Sequence, residues 1–163
     1  MNKIIILFVT TIFLSSCASV RNKFAENKKH SVAISNSMEI QFDDQGNFLN
    51  LTSTASSPIT INLPNSKDTA IISATLKARS NISEFLSSDI SSESFVNKLS
   101  NSFNENMATK VSENISSKST SILKGTFVSS TIFDDKNKLV IVTVESNQNI
   151  QNKFRLIENA ITY

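Results

Sequence analysis

Apolar and polar positions change rhythm several times along this chain. Residues 4–14 form an apolar run, IIILFVTTIFL, broken only by Thr10 and Thr11. Residues 18–37 carry scattered apolar side chains without a sustained period, which reads as a tether. From residue 38 the period is two: Met38, Ile40 and Phe42 alternate with Glu39, Gln41 and Asp43. DDQGN then supplies turn chemistry and FLNLTST resumes a strand pattern, which together predict a hairpin over residues 38–54. A further short strand is expected at 59–63, after Pro58.

The period then lengthens. Ser66 is a candidate N-cap, and Ile71 or Ile72, Thr75, Ala78, Ile82 and Phe85 or Leu86 recur at steps of three and four, predicting an amphipathic helix of about five to six turns. After SSDISS comes a second stripe, Leu99, Phe103, Met107, Val111 and Ile115, continuing to Ile122. It predicts a long helix ending at Lys124 before Gly125. Period two returns in TFVSSTIF and LVIVTVES, which flank the turn-rich DDKNK and predict a second hairpin over 126–146. Its second strand is apolar on both faces and is expected inside a sheet. Ile150, Phe154, Ile157 and Ile161 space a short closing helix. The fold class expected is α+β, a small, mostly antiparallel sheet packed by two amphipathic helices and a short C-terminal one.

The second stripe raises an energetic question. Eleven of residues 102–121 are Ser, Thr or Asn, and each costs a few tenths of a kcal/mol in a helix relative to Ala. Such a helix depends on burial of its apolar face against the sheet, the first helix or a neighbouring subunit. The stripe Leu99, Phe103, Met107, Val111 and Ile115 is therefore expected to be a packing and interaction surface.

The N-terminal run changes the picture of where the domain works. Lys3, the apolar run and two small residues have the layout of a secretory signal peptide, whose apolar region is about 7–15 residues long. That is too short for a bilayer span of about 20 residues. Leu14-Ser15-Ser16-Cys17 resembles the lipobox of bacterial lipoproteins, which implies cleavage before Cys17 and acyl chains on its sulfur. Acyl chains add about 0.8 kcal/mol per buried methylene, and more than one chain anchors durably. Ala18 and Ser19, rather than Asp, follow the cysteine, and by the sorting rule of such lipoproteins this favours the outer membrane. The organisation expected is a leader at 1–16, a lipidated N-terminus and tether at 17–37, and one domain at 38–163.

Composition removes several function classes. Sixteen basic side chains face fourteen acidic ones, and Lys3 leaves with the leader, so no single-signed field collects nucleic acid. Cys17 is the sole cysteine, and 28 Ser and 19 Asn stand against 2 Gly. No phosphate-binding loop is present. The one histidine, His30, lies beside two lysines in the expected tether and reads as solvated. Asp43-Asp44 and Asp134-Asp135 sit in hairpin turns, where Asp bonds its own backbone. Serines abound without a Ser-x-x-Lys base or a core histidine. No enzymatic activity, cofactor, metal site or small-molecule substrate is expected, beyond the covalent acyl chains.

Ala74, Ala78, Arg79 and Leu86, then Ser119, Leu123, Gly125, Phe127 and Val128, then Asp134 and residues 139–144, fall in an order that resembles small outer-membrane lipoproteins of the LPP-twenty/FlgP type. The resemblance spans about half of the chain after the leader; Phe133 stands where an aromatic is often Trp, and INLPNSKDT replaces the expected glycines. It implies a compact α+β module that assembles into envelope structures, flagellar or secretory. The function expected is a lipid-anchored structural or assembly component on the periplasmic face of the outer membrane, self-associating or part of an envelope complex. The alternative is a regulatory module that docks on or activates a periplasmic enzyme or secretion complex.

Overall fold

The computed structural model describes residues 29–60 and 65–161. The leader, the lipobox Leu14-Ser15-Ser16, Cys17 and most of the expected tether lie outside the described residues, as does most of the strand expected at 59–63. The fold is α+β, and the described residues form a five-stranded antiparallel sheet with four α-helices.

The elements are β1 (His30–Ser35), β2 (Met38–Phe42), β3 (Phe48–Pro58), α1 (Ser66–Glu84), α2 (Glu93–Ser100), α3 (Glu105–Lys124), β4 (Phe127–Asp134), β5 (Leu139–Asn147) and α4 (Gln148–Ile161). The sheet order is β1-β2-β3-β5-β4, so β1 and β4 are its edges.

One face of the sheet is apolar. Val32, Ile40, Phe42, Leu51, Val140, Val142 and Val144 are buried there at every second position, together with Ser53, Ser57 and Ser146. The other face is polar. Thr54 pairs with Thr143 at 3.0 Å between hydroxyls, and Asn50 Nδ2 donates to Glu145 Oε1 at 2.7 Å. Helix α1 packs on β3 and β5 through Ala70, Ala74, Ala78 and Ile82, all buried. Its three alanines meet a strand bearing Ser53, Ala55 and Ser57, and small residues on both sides let helix and sheet approach closely. Helix α3 completes the layer: Ser146 Oγ donates to the Ile122 carbonyl at 2.8 Å, tying β5 to its last turns.

Three boundaries differ from the sequence expectation. The end of the expected tether at 17–37 is a strand instead, because residues 30–35 form β1 and pair with β2 across a two-residue turn at Asn36-Ser37. His30, Val32 and Ile34 alternate with small residues, but the pattern is weak. The long helix is broken: Ser92 caps α2 by accepting from Phe95 N, and Asn104 caps α3 by accepting from Met107 N at 2.9 Å. Leu99 thus belongs to α2 and Phe103 to the loop between them. The first helix is capped by Asn65 in the left-handed region (φ 63°) rather than by Ser66.

That first helix also ends in a π-helical turn, Phe85–Asp89. The hydroxyls of Ser87 and Ser88 both donate to the Glu84 carbonyl, and Ile90 N reaches the Phe85 carbonyl five residues back at 2.9 Å. The widened turn turns Phe85 and Leu86 into the core, where Phe85 meets Phe95 edge-to-face at 5.1 Å.

Candidate functional site: the two sheet edges and the interaction stripe

The residues of the predicted interaction stripe fall on two helices and a loop. Leu99, Val111 and Ile115 are buried within this chain, while Phe103 and Met107 are half-buried. Their partners come from the β1-β2 side of the sheet. Phe103 packs edge-on to Phe42 at 5.9 Å, and its ring lies 4.8 Å from that of His30. Val111 and Met107 sit against the β2-β3 turn, where Gly46 has φ +75°; a Cβ there would lie 2.5 Å from Val111 Cγ2. The Ser- and Asn-rich α3 is held by this packing and by Ser112 Oγ, which is buried and donates to the Ile90 carbonyl at 2.5 Å.

His30 opens β1 instead of floating in a tether. Its Nε2 lies 3.0 Å from Asp44 Oδ1, so the ring is a link between the edge strand and the β2-β3 turn. Lys98 Nζ donates to the Ile34 carbonyl at 2.7 Å, fastening α2 to the same strand. These contacts hold both ends of edge β1, while Ser31, Ala33 and Ser35 stay exposed.

The acidic turn residues act on their own backbones. Asp43 accepts from Gln45 N, Asn47 N and Asn47 Nδ2, and Asp134 accepts from Asn137 N and Nδ2. Partial burial works against the charge of Asp43, but the side-chain and backbone bonds from Asn47 outweigh it and hold the carboxyl below the usual range. The backbone N–H and then the side-chain amide of Asn137 lower Asp134 in the same way. The Ser31 hydroxyl, followed by the Gln41 amide, lowers Glu39. Among the described residues, no three of His, Cys, Asp and Glu gather as metal ligands.

Edge β4 is different in kind. Five of its eight side chains are Val, Ile, Phe or Thr, suited to strand pairing, yet all positions from Val128 to Phe133 are exposed. Ile132 is 56% exposed and Phe133 43%. Phe133 lies opposite Val140, and Val128 opposite Val144, so both point to the helix side; Ile132 lies opposite Ile141 on the polar side.

Helix α1 runs alongside this edge. Lys67 Nζ sits 5.1 Å from the centre of the Phe133 ring, and Arg79 Nη2 donates to the Thr126 carbonyl at 3.3 Å, one contact near each end of β4. At 100° per residue, Ile72 and Leu76 fall on the same flank of α1 as Arg79. Lys77, on the opposite flank, donates to the Ser56 carbonyl of β3. Ile72 and Leu76 are both about 60% exposed, at 60% and 61%. Helix flank and strand edge thus each leave large apolar side chains exposed, Ile72 and Leu76 on α1 and Val128, Ile132 and Phe133 on β4. Sequence periodicity missed this exposure, since an exposed edge strand and an internal one share the same alternation. The available signal was that β4, unlike β5, is interrupted by Ser129, Ser130 and Thr131.

Among the described residues, no helix is long and apolar enough to cross a membrane. Comparison with models of known protein families, with characterised proteins and with solved structures finds no match to this chain.

Proposed function

We propose that this chain is a lipid-anchored envelope lipoprotein of the outer membrane that works as an assembly component, using β4 to pair with further copies of itself. The anchoring half rests on the register of Lys3, the apolar run, Leu14-Ser15-Ser16 and Cys17. The assembly half rests on one observation: an eight-residue edge strand exposed from Val128 to Phe133. An open edge offers unpaired backbone N–H and C=O groups, and proteins normally blunt such edges with charge, proline, a bulge or a cover; β4 has a bulge between Val128 and Ser130, and Ser130 to Phe133 continue past it in regular pairing with β5. Residues 127–133 carry no charge and no proline.

A second copy suits this edge. Antiparallel pairing about a two-fold axis at Thr131 sets Thr131 opposite its own counterpart and Ile132 opposite Ser130, on the same face. It also brings Asp134 and Asp135 of one copy to the start of the other's β4, where Arg79 is fastened to Thr126. The resemblance to LPP-twenty/FlgP lipoproteins agrees with an assembling module.

Sedimentation of the full lipidated chain in detergent, across a wide concentration range, tests this reading. The wild type should associate with rising concentration and Thr131→Lys should remain a monomer, because two lysines then face one another at the axis. A monomeric wild type would direct the same edge to a foreign strand, the regulatory alternative. Intact mass tests the anchor: acyl groups on the wild type and none on Cys17→Ser.

A further inference from the structure

The C-terminal helix α4 leaves the sheet at the end from which the tether enters. β1 begins at His30, which lies opposite Phe42; Phe42 lies opposite Phe48; and Asn50, two residues on, lies opposite Asn147, the last residue of β5. Strands spaced about 4.8 Å apart put His30 and Asn147 roughly 15 Å from each other on one end of the sheet. Helix α4 starts at the next residue, Gln148, with Asn147 Oδ1 accepting from Ile150 N at 3.0 Å.

Only twelve residues, 18–29, separate Cys17 from His30. Fully extended they reach at most about 45 Å. The same end of the domain is therefore confined near any membrane that holds Cys17, and α4, about 21 Å long, emerges from it.

The described side chains of α4 are mostly exposed. Ile150 and Ile157, seven residues apart, share a helix face, but Ile150 is half-buried whereas Ile157 is 54% exposed. Beside it Leu156 is 68% exposed. A large exposed apolar pair thus lies on the helix that starts at the membrane-proximal end, with exposed Lys153 on the same helix and Lys29 at the tether's end. Exposed apolar residues with neighbouring cations are the makeup of a helix lying in a lipid interface, apolar side in the acyl boundary and cations at anionic headgroups.

We infer that α4 lies on the lipid surface as a second contact, fixing the orientation of the domain so that β4 is presented at a set angle to the membrane. This inference rests on the lipoprotein reading above. The bilayer is favoured over a second copy because the tether brings lipid to this end in every molecule, whatever its neighbours.

The chain contains no tryptophan, so a single indole reports its own surroundings. The full lipidated chain carrying Leu156→Trp, reconstituted in phosphatidylethanolamine/phosphatidylglycerol vesicles, should emit at shorter wavelength than the same chain carrying Ile72→Trp. Lipids brominated in the acyl chains should remove most of the Leu156→Trp emission and leave that of Ile72→Trp intact. Adding Ile157→Asp should return the Leu156→Trp emission to that of an exposed indole while the protein stays with the vesicles. Emission that is blue-shifted yet not quenched by bromine means that protein covers the helix, and overturns the inference. So does emission matching Ile72→Trp. Intact mass of the same sample separates the two readings: acylated protein with an unquenched indole overturns only the orientation of α4, whereas protein without acyl groups overturns the lipoprotein reading and this inference with it.

Discussion

The two edges of the sheet carry similar backbone and opposite surroundings. β1 is six residues long, its Val32 is buried, and it is fastened by Lys98 at Ile34 and by His30 against Phe103 and Asp44. β4 is eight residues long, with Val128 to Phe133 all exposed and α1 touching it near its two ends. The difference lies in what the chain places beside each strand. Two helices and a turn converge on the β1 side, while α1, narrowed by its alanines, settles over β3 and β5 and leaves β4 alongside it. The large exposed apolar side chains of the described strands all lie on the second side, at Val128, Ile132 and Phe133.

The largest effects should follow from cavities on the β1 side. Leu99→Ala removes a fully buried side chain and should cost about 2–5 kcal/mol in urea unfolding. Ile132→Ala on β4 should cost within about 0.5 kcal/mol in the monomer. Similar losses at both sites would mean that β4 is packed as tightly as the core.

Gly46→Ala comes next. The new methyl would press on Val111 Cγ2 at a residue held at positive φ, and overpacking with backbone strain together cost about 1–3 kcal/mol. Thermal unfolding of Gly46→Ala beside the wild type measures it, and an unchanged melting temperature would show that the β2-β3 turn is not braced against α3.

The smallest effect is that of acid. Glu39, Asp43 and Asp134 have carboxyl pKa values lowered by folding. Groups lowered in the folded state contribute stability that is fully present above their unfolded pKa, about 4, and disappears as pH falls through the folded value. The urea midpoint should stay level as pH falls to about 5 and drop below about 4. Asp43→Asn should lessen that drop by removing one of the three.

Much of this fold was legible in the sequence, and the exceptions have physical causes. Both hairpins could be read because DDQGN and DDKNK combine turn residues with flanking alternation, and the strands found, β2 with β3 and β4 with β5, match the expected spans within a few residues. β1 escaped because Ala33 and His30 blur its alternation. The break between α2 and α3 escaped because Leu99, Phe103 and Met107 keep helical spacing straight through the loop, although Asn104 marks a cap. For the site, spacing identified a stripe that packs, but periodicity alone does not say which apolar face receives a cover. Leu99 and Ile115 are buried in the chain's own core, while Ile72, Leu76 and Phe133 are left exposed.

The most direct test of the account compares the two edges in one experiment. Cys17, which the proposed lipoprotein reading places under acyl chains, is the chain's sole cysteine, so on that reading Thr131→Cys and Ala33→Cys each introduce one free sulfur on an exposed position, the first on β4 and the second on β1. Opposed residues of an antiparallel pair stand about 4.5–5.5 Å apart, within disulfide reach. Mild oxidation of intact cells should yield a disulfide-linked dimer from Thr131→Cys and none from Ala33→Cys. No dimer from Thr131→Cys, or an equal yield from Ala33→Cys, would contradict the assignment of β4 as the edge through which this protein assembles.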